Sequence, residues 1–347
     1  MTSRVQTVCL VLLTAIAVAG ALYWLRPLMI PFVLAVFLAL ILSSIIEFVM
    51  RRLKLPRSLA LGVTAILAVL LFNLVALVIS SSLGQLSANS AAYQAQLGEM
   101  LGRVMAWLPE QLSGRLPQAD FANLPQLAVG TVGTALLGTT NAIVGILSQS
   151  ILVLIFVIFL MIGGEGRSKQ ASGVWRTAEA RVKRYLVTKA VISGATGLLV
   201  GLTLSLLDID LALMFGLFAF LLNFIPSVGS LIATLLPLPV VLVSPDVSTT
   251  TAVLAIAIPG GIQIVIGNII DPKIMGESLD LHPIVILLSL IFWGMLWGIL
   301  GALMAVPITA VAKILLERSA GSRAIAEVMA GRLDSLRSPD GSRNAAG

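Results

Sequence analysis

Long runs of apolar residues, separated by short polar segments, dominate the chain. A helix that crosses the hydrocarbon core of a bilayer needs about 20 apolar residues, so each run predicts a transmembrane helix. Runs that fit one helix each are 7–25, 28–50, 58–83, 141–163, 185–207 and 249–270. Helices are favoured over strands, because lipid accepts strands only in closed barrels, and the short alternating segments of such barrels do not occur in this sequence.

Two further apolar stretches, 210–244 and 284–316, are each long enough for two helices with a break between them. The pattern therefore predicts an all-α, polytopic transmembrane helical bundle with about eight spans and two helical hairpins. The sequence leaves open whether these hairpins cross the membrane fully or are re-entrant, because the chain returns to the same side in both cases.

The segment 84–140 is more polar, and it contains one amphipathic stretch that ends at Pro109. Its apolar side chains recur at helical spacing, which predicts a helix with one apolar face. That face comprises Tyr93, Leu97, Met100, Leu101, Val104, Trp107 and Leu108. The predicted organisation is N-terminal transmembrane helices at 1–83, an extracytoplasmic amphipathic helical segment at 84–140, a C-terminal transmembrane region at 141–318, and a cytoplasmic, partly disordered tail at 319–347.

Composition agrees with a membrane protein. Apolar residues make up 58% and charged residues 11% of the chain, whereas soluble domains carry about 25% charged residues. The net charge of +6 raises the question of nucleic-acid binding. We reject that interpretation and predict no nucleic-acid partner, because the basic residues lie in short loops between apolar runs, as the positive-inside rule describes.

The same basic residues predict the orientation in the membrane. Four Lys and Arg residues lie in 51–57, seven lie in 164–189, and others follow from Lys313 onward, whereas 84–140 holds only Arg103 and Arg115. Basic loops stay in the cytoplasm, so both termini are predicted to be cytoplasmic and 84–140 to face outward.

Common catalytic and cofactor motifs do not occur in the sequence. It contains no phosphate-binding G-x-x-x-x-G-K-[ST] motif, no H-E-x-x-H and no G-x-S-x-G. The single histidine, His282, excludes a multi-histidine metal site, and its position before Pro283 favours a helix cap over a proton relay. We therefore predict no catalytic residue, no metal ligand and no cofactor.

The first candidate site lies in the run Asn223-Phe-Ile-Pro226-Ser-Val-Gly229. Proline removes a backbone donor and glycine permits unusual backbone angles, so the helix is predicted to break at Pro226. A break at membrane depth is tolerated where it is buried in protein or lines a watery cavity, and transporters use such breaks to bind their cargo. A plain turn between two spans is the alternative.

The second candidate site is the sequence Asn268-Ile-Ile-Asp271-Pro272-Lys273-Ile-Met-Gly276. Asp271 and Lys273 are predicted to form a gating or ion-coupling pair, or Asp271 caps the helix that follows. The remaining isolated polar residues in the predicted spans are Glu47, Asn73, Asn141 and Gln263. Glu47 lies four residues before Arg51, which predicts an ion pair on the helix surface.

The third candidate site is Trp293-Gly294-Met-Leu-Trp297-Gly298. The two glycines form a small-x-x-x-small pair that allows close helix packing. The two tryptophans share one helix face, where interfacial anchoring is favoured over ligand stacking. Gly197 and Gly201 form a similar small-residue pair in the fifth predicted span, and packing is its expected role.

Taken in order, Asn223-Phe-Ile-Pro226-x-Val-Gly229, Asp271-Pro272-Lys273-x-Met-Gly276 and Phe292-Trp293-Gly294-x-x-Trp297-Gly298 resemble the autoinducer-2 exporter family of bacterial membrane proteins. The resemblance covers about residues 20–318. It implies a transporter of the bacterial inner membrane that does not hydrolyse ATP. Members of this family are associated with export of the furanone signal autoinducer-2 and some with sodium–proton exchange. This chain departs from the family pattern in having serine at 227 and 230 and aspartate at 271.

The function expected from the sequence is a secondary transporter or facilitator that moves a small polar solute, a monovalent cation or a proton across the bilayer. Export of an autoinducer-2-like signal is one form of this expectation. The alternatives are a sodium(lithium)/proton antiporter and a membrane scaffold that transports nothing. The amphipathic segment and the glycine faces predict a homo-oligomer.

Overall fold

The computed structural model describes residues 2–54, 56–89, 91–93, 95–96, 98–99, 151–163, 173–226, 228–244, 247–275, 280–317 and 322–332. Within these ranges the regular structure is helical and contains no strand. The helices are α1 (Thr2–Trp24), α2 (Arg26–Leu53), α3 (Arg57–Ala88), α4 (Ile151–Gly163), α5 (Gly173–Leu206), α6 (Ala212–Leu222), α7 (Val228–Leu235), α8 (Leu238–Val243), α9 (Thr249–Val265), a π-helical segment (Ile266–Ile270), α10 (Asp271–Met275), α11 (Pro283–Leu316) and α12 (Arg323–Met329).

The helices have the length and the surface of membrane spans. Among the described residues, five helical stretches are long and apolar enough to cross a bilayer: Arg26–Arg52, Ser58–Ala88, Glu179–Leu206, Thr249–Ile270 and Pro283–Leu316. Large apolar side chains cover their exposed faces, for example Leu70 and Leu77 on α3. Apolar surface of this kind is stable against lipid. The prediction of an all-helical membrane protein is confirmed.

The predicted outward helix lies mostly outside the described residues, as does the first half of the predicted span 141–163. The chain divides into two compact units. The first comprises Met1–Lys54, Gln149–Ala190 and Lys273–Gly347, and the second comprises Leu55–Ser148 and Val191–Pro272.

In the first unit, α2, α5 and α11 supply the apolar core. Val182, Tyr185, Leu186 and Val306 form its buried centre. Phe32 of α2 packs edge-to-face on Phe156 of α4, with ring centroids 5.6 Å apart. Glu47 forms an ion pair with Lys183 of α5 at 2.6 Å. Thus a residue 136 positions away supplies the partner that the sequence assigned to Arg51.

Helix α11 folds back on itself at Gly298, which has φ 68° and ψ −150°. The indole Nε1 of Trp293 donates to Thr309 Oγ1 at 3.2 Å, although a straight helix would separate residues 16 apart by about 24 Å. Only glycine adopts this backbone conformation readily. The stretch Pro283–Leu316 therefore consists of two arms, 283–297 and 299–316, whose lengths lie near the lower limit of about 17 residues for a full span. The predicted hairpin thus forms.

A cluster of charges joins the base of this hairpin to α12. Lys313 is 1% exposed, and its Nζ lies 2.9 Å from Asp280 and 2.8 Å from Glu317. Arg332 also binds Asp280, at 2.6 Å. Burial alone would raise the pKa of Asp280, but the hydrogen bonds and charges of Lys313 and Arg332 hold it below its usual value. The helix α12 lies in the tail that the sequence predicted to be partly disordered.

The second unit is built around α5, α6 and α9. Its buried core includes Val200 and Leu204 of α5, Phe215 and Ala219 of α6, and Ala255 of α9. Glycines allow α5 and α6 to touch: a Cβ at Gly197 would lie 2.6 Å from the Gly216 carbonyl oxygen. Gly197 and Gly201 of α5 thus pack against α6 of the same chain, as expected for this small-residue pair.

We predict that Asp280→Asn lowers the free energy of unfolding by about 1–3 kcal/mol. Breaking a buried ion pair costs about 3–5 kcal/mol, but Lys313 keeps Glu317. Thermal unfolding of the detergent-solubilised protein measures the change. Because the folded pKa of Asp280 is lowered, the difference from wild type should persist above about pH 4 and shrink below it. Glu327→Gln is the control, since Glu327 lies 3.8 Å from the exposed Arg332; an equal loss in both variants would contradict the buried pair.

We predict that Gly197→Ala destabilises the protein by about 1–3 kcal/mol, because the new methyl group would overlap the α6 backbone. Gly194→Ala is the matched control, since a Cβ at that position meets nothing within 4 Å. The control should be neutral or stabilising by up to about 1 kcal/mol, from the higher helix propensity of alanine. Equal unfolding temperatures for the two variants would show that α5 and α6 do not make this contact.

Candidate functional site

The predicted break at Asn223–Gly229 is present, between the end of α6 at Leu222 and the start of α7 at Val228. Its backbone donors bind local carbonyl groups: Asn223 N–H donates to Ala219, Ile225 N–H to Leu222 and Gly229 N–H to Ile225. Gly229 lies directly against the Leu222 carbonyl, so no Cβ fits there. The turn therefore leaves fewer main-chain donors available to a cargo than the sequence suggested.

Asn223 connects this turn to α5. The residue is 4% exposed, and its Nδ2 donates to Ser193 Oγ at 2.9 Å. Ser193 and Thr196, one helical turn apart on α5, are both fully buried. Lys189, a further turn back, is also buried. These α5 residues were missed at the sequence level, because serine and threonine are common in membrane helices and Lys189 was counted with the basic loop.

The length of α6 gives the depth of the break. The helix has 11 residues and extends about 16 Å, roughly half of a hydrocarbon core of about 30 Å. It starts after Asp208 and Asp210, whose charges favour a position at a membrane surface. Measured from a surface at that turn, a helix of this length along the bilayer normal reaches about the middle of the bilayer.

Asp210 also anchors the start of α6 to the end of α3. Its Oδ2 accepts from Tyr93 Oη at 2.6 Å and from Asn89 Nδ2 at 3.0 Å, and Leu211 N–H donates to Gln85 Oε1 at 3.1 Å. Burial and the bond to Asp210 raise the pKa of Tyr93 to about 12. These partners lie 117–126 positions apart in sequence, so no local pattern indicated them.

Helix α9 carries a second irregularity in the same unit. Pro259 lies inside the helix, and the segment after Val265 is π-helical, with Asp271 N–H donating to Ile266 O. Between them lies Gln263, which is 4% exposed. Among the residues that the structure describes, neither its Nε2 nor its Oε1 has a hydrogen-bond partner. A buried polar group left in this state costs about 1–3 kcal/mol.

The residues of the second predicted site lie in different segments and differ in their exposure. Asn268 lies in the π-helical segment and is exposed, Asp271 is half-buried in the first turn of α10, and Lys273 is exposed. The side chain of Pro272 and the whole of Gly276 lie outside the described residues. The gating pair of Asp271 and Lys273 stays a prediction.

The third predicted site lies in the first unit, at the tip of the α11 hairpin. Trp297 is buried and its Nε1 donates to Leu22 O of α1 at 3.1 Å, while Trp293 binds Thr309. Gly294 lies near Ala302 of the opposite arm. Both indoles thus fasten the hairpin, a role that the sequence did not suggest. His282 caps α11 by accepting from Ile284 N–H at 3.3 Å, as predicted.

The cavities and acidic residues that the structure describes do not add a polar binding site to the break. An open groove of about 230 Å³ between α3, α5 and α6 is lined by apolar side chains and glycines, including Val78, Leu202 and Gly201. None of its lining side chains can form a hydrogen bond with a polar cargo. Within the described ranges, no group of three His, Cys, Asp or Glu side chains is placed to hold a metal ion.

A helix that breaks near the bilayer centre beside buried polar side chains is characteristic of membrane transporters. The comparison with known sequences identifies the family of transporters. A family model described as AI-2E family transporter matches residues 12–321, and the chain belongs to this family. It is therefore a multi-pass transporter of the bacterial inner membrane, and the predicted family and transport function are confirmed.

Individual relatives match over most of their length. The chain is 33% identical over 312 residues to the AI-2 transport protein TqsA of Escherichia coli (strain K12), covering 86% of this chain and 88% of TqsA. It is 28% identical over 330 residues to YhhT of the same organism, covering 92% and 93%. A Haemophilus influenzae relative is 30% identical over 309 residues, covering 84% and 86%.

We predict that Tyr93→Phe lowers the free energy of unfolding by about 1.5–3 kcal/mol, the usual contribution of a hydrogen bond to a charged group. Because the folded pKa of Tyr93 is raised to about 12 above an unfolded value of about 10, wild type should lose stability as the pH rises from about 10 to 12. The variant should lose less over that interval. Tyr23→Phe is the control, since Tyr23 is exposed; identical pH profiles for Tyr93→Phe and wild type would contradict the bond to Asp210.

Proposed function

We propose that the protein moves a small polar solute across the cytoplasmic membrane along the α6–α7 break. The contact that carries this proposal is the buried hydrogen bond between Asn223 and Ser193, 2.9 Å long. It is the point where a side chain at the break meets a side chain of a long membrane helix. By the positive-inside rule, both termini face the cytoplasm and the 207–211 turn faces outward.

The bond between Asn223 and Ser193 supports a specific mechanism. A side-chain amide can donate two hydrogen bonds and accept two, and a cargo hydroxyl or carbonyl group can replace either partner. When cargo binds Asn223, the turn is released from α5, and the short α6–α7 hairpin moves to open the path. When cargo leaves, the bond to Ser193 forms again and closes it. The exchange keeps the number of buried hydrogen bonds constant, which lowers its cost.

Autoinducer-2 is the first solute to test, because the relative TqsA is named as an AI-2 transport protein. Asn223 and Ser193, the side chains that meet at the break, are neutral, as is the buried Thr196, and the buried Lys189 lies a further turn back on α5. Neutral donors and acceptors suit an uncharged polar cargo. A cationic cargo at this depth would need an opposite charge to offset its desolvation, and none of these four side chains supplies one.

We predict that Asn223→Ala and Ser193→Ala each reduce autoinducer-2 release at least about tenfold, the effect of about 1.4 kcal/mol at the transport barrier. Release is measured from proteoliposomes loaded with autoinducer-2, with equal amounts of folded protein. Ser289→Ala is the matched control, because Ser289 is also buried and its hydroxyl donates to Ile286 O of its own helix. Pro226→Ala should also reduce release, since it favours a continuous helix. Normal release by both Asn223→Ala and Ser193→Ala would overturn this site.

Sodium/proton antiport is the second form of the proposal, favoured by the carboxylate of Asp271 beside the π-helical segment. The same proteoliposomes, with a sodium or pH gradient imposed, distinguish the two. Antiport requires that a sodium gradient drives proton movement, and that Asp271→Asn abolishes it. Release of autoinducer-2 that is unaffected by both gradients supports facilitated transport. A homo-oligomer remains part of the proposal, and the mass of the detergent-solubilised particle tests it.

A further inference from the structure

The most unusual buried group in the second unit is the side-chain amide of Gln263. It lies inside an apolar helix with 4% of its surface exposed. No residue that the structure describes offers a hydrogen bond to either amide atom. Buried amides in folded proteins nearly always have partners, so an exception calls for a ligand, an ordered water or a functional reason.

The position of Gln263 along α9 brings it to the depth of the break. Helix α9 follows α7 and α8 in the chain and contacts both of them. Gly260 of α9 lies against Thr234 of α7, with 3.4 Å from an added Cβ to the Thr234 methyl group. Gln263 lies three residues, or about 4.5 Å, further along α9. In an antiparallel pair this is the level of Leu231, within one helical turn of the start of α7 at Val228.

Gln263 also faces the interior of its unit. Ala255, Pro259 and Gln263 are buried and follow one another at intervals of four residues, so they share one face of α9. Ala255 belongs to the same buried core as Phe215 and Ala219 of α6. The amide is therefore directed toward the protein rather than toward lipid.

The backbone of α9 is irregular on both sides of this amide. Pro259, four residues earlier, has no N–H to donate to the Ala255 carbonyl. The π-helical segment Ile266–Ile270 starts three residues later, and such segments are frequent at functional sites. Irregular backbone at membrane depth is tolerated where it is buried in protein or lines a polar cavity.

We propose that the Gln263 amide is a cargo-binding group, which donates through Nε2 and accepts through Oε1 to an uncharged solute that bears a hydroxyl group and a second polar oxygen. The inference rests on the proposed transport function and adds a specificity-determining residue to it. Asn223 releases the turn when cargo arrives, whereas Gln263 has no hydrogen bond to a described residue that cargo would first have to replace.

The test uses Gln263→Met, which keeps the length of the side chain and removes its polar atoms. Release of autoinducer-2 from proteoliposomes is measured against internal concentration, to separate KM from the maximal rate. We expect KM to rise at least tenfold, while the unfolding temperature stays equal or increases because an unpaired amide has been removed. Added autoinducer-2 should raise the unfolding temperature of wild type but not of Gln263→Met.

Thr64→Val is the matched control. Thr64 is fully buried in α3 of the same unit, and its hydroxyl bonds only to Ala60 O of its own helix. This variant should keep KM within twofold of wild type. Gln263→Asn, which retains an amide on a shorter side chain, should give an intermediate KM.

Two outcomes would overturn the inference. A lower unfolding temperature of Gln263→Met with an unchanged KM would mean that a trapped water or another part of the protein satisfies the amide. An unchanged KM together with unchanged stability would mean that cargo does not touch it. If wild type itself releases no autoinducer-2 while the protein is folded, the proposed function fails for this cargo. If instead wild type releases autoinducer-2 and Gln263→Met releases it equally well, only the role of Gln263 fails.

Discussion

The hydrocarbon core of a bilayer supplies no hydrogen-bond partner, and this constraint decides which irregularities the chain can carry. At the α6–α7 turn, the N–H groups of Asn223, Ile225 and Gly229 bind carbonyl groups of the turn itself or the last turn of α6. The side chain of Asn223 then finds Ser193 on α5. The turn can therefore lie at membrane depth with its backbone donors satisfied, and in the proposed mechanism this arrangement is the closed conformation.

Both hairpins depend on backbone approaches that only glycine permits. Gly298 provides the positive φ at the tip of α11, and Gly301 lies against the Trp293 carbonyl, where a Cβ would not fit. In the other hairpin Gly229 lies against the Leu222 carbonyl, and Gly197 and Gly216 bring α5 and α6 together. Helices that pack through larger side chains lie about 8–10 Å apart, and the glycines let the backbones of α5 and α6 touch directly.

Local patterns predicted the helices and both breaks because these depend on apolar length, proline and glycine, which are visible in a short window. Local patterns did not predict the contacts between residues that are distant in sequence. Glu47 pairs with Lys183 rather than Arg51, Trp297 bonds to Leu22 of α1, and Tyr93 bonds to Asp210. For each residue the sequence also allowed a role among its near neighbours in the chain. The distant partner is set by tertiary packing. Gln263 was visible as a polar residue in an apolar run, but its lack of a partner is a property of the fold.

The described polar groups of the second unit differ in how many hydrogen-bond partners they have, and this difference suggests that they have different roles. Asp210 has two donors and holds the start of α6. Asn223 has one partner that a cargo can replace, and Gln263 has none among the described residues. Exchanging one hydrogen-bond partner for another costs little free energy, whereas giving a partner to an unpaired polar group lowers the free energy. Under the proposed mechanism, a cargo that reaches Gln263 gains free energy before the turn has moved, and part of that gain offsets the opening of the bond between Asn223 and Ser193.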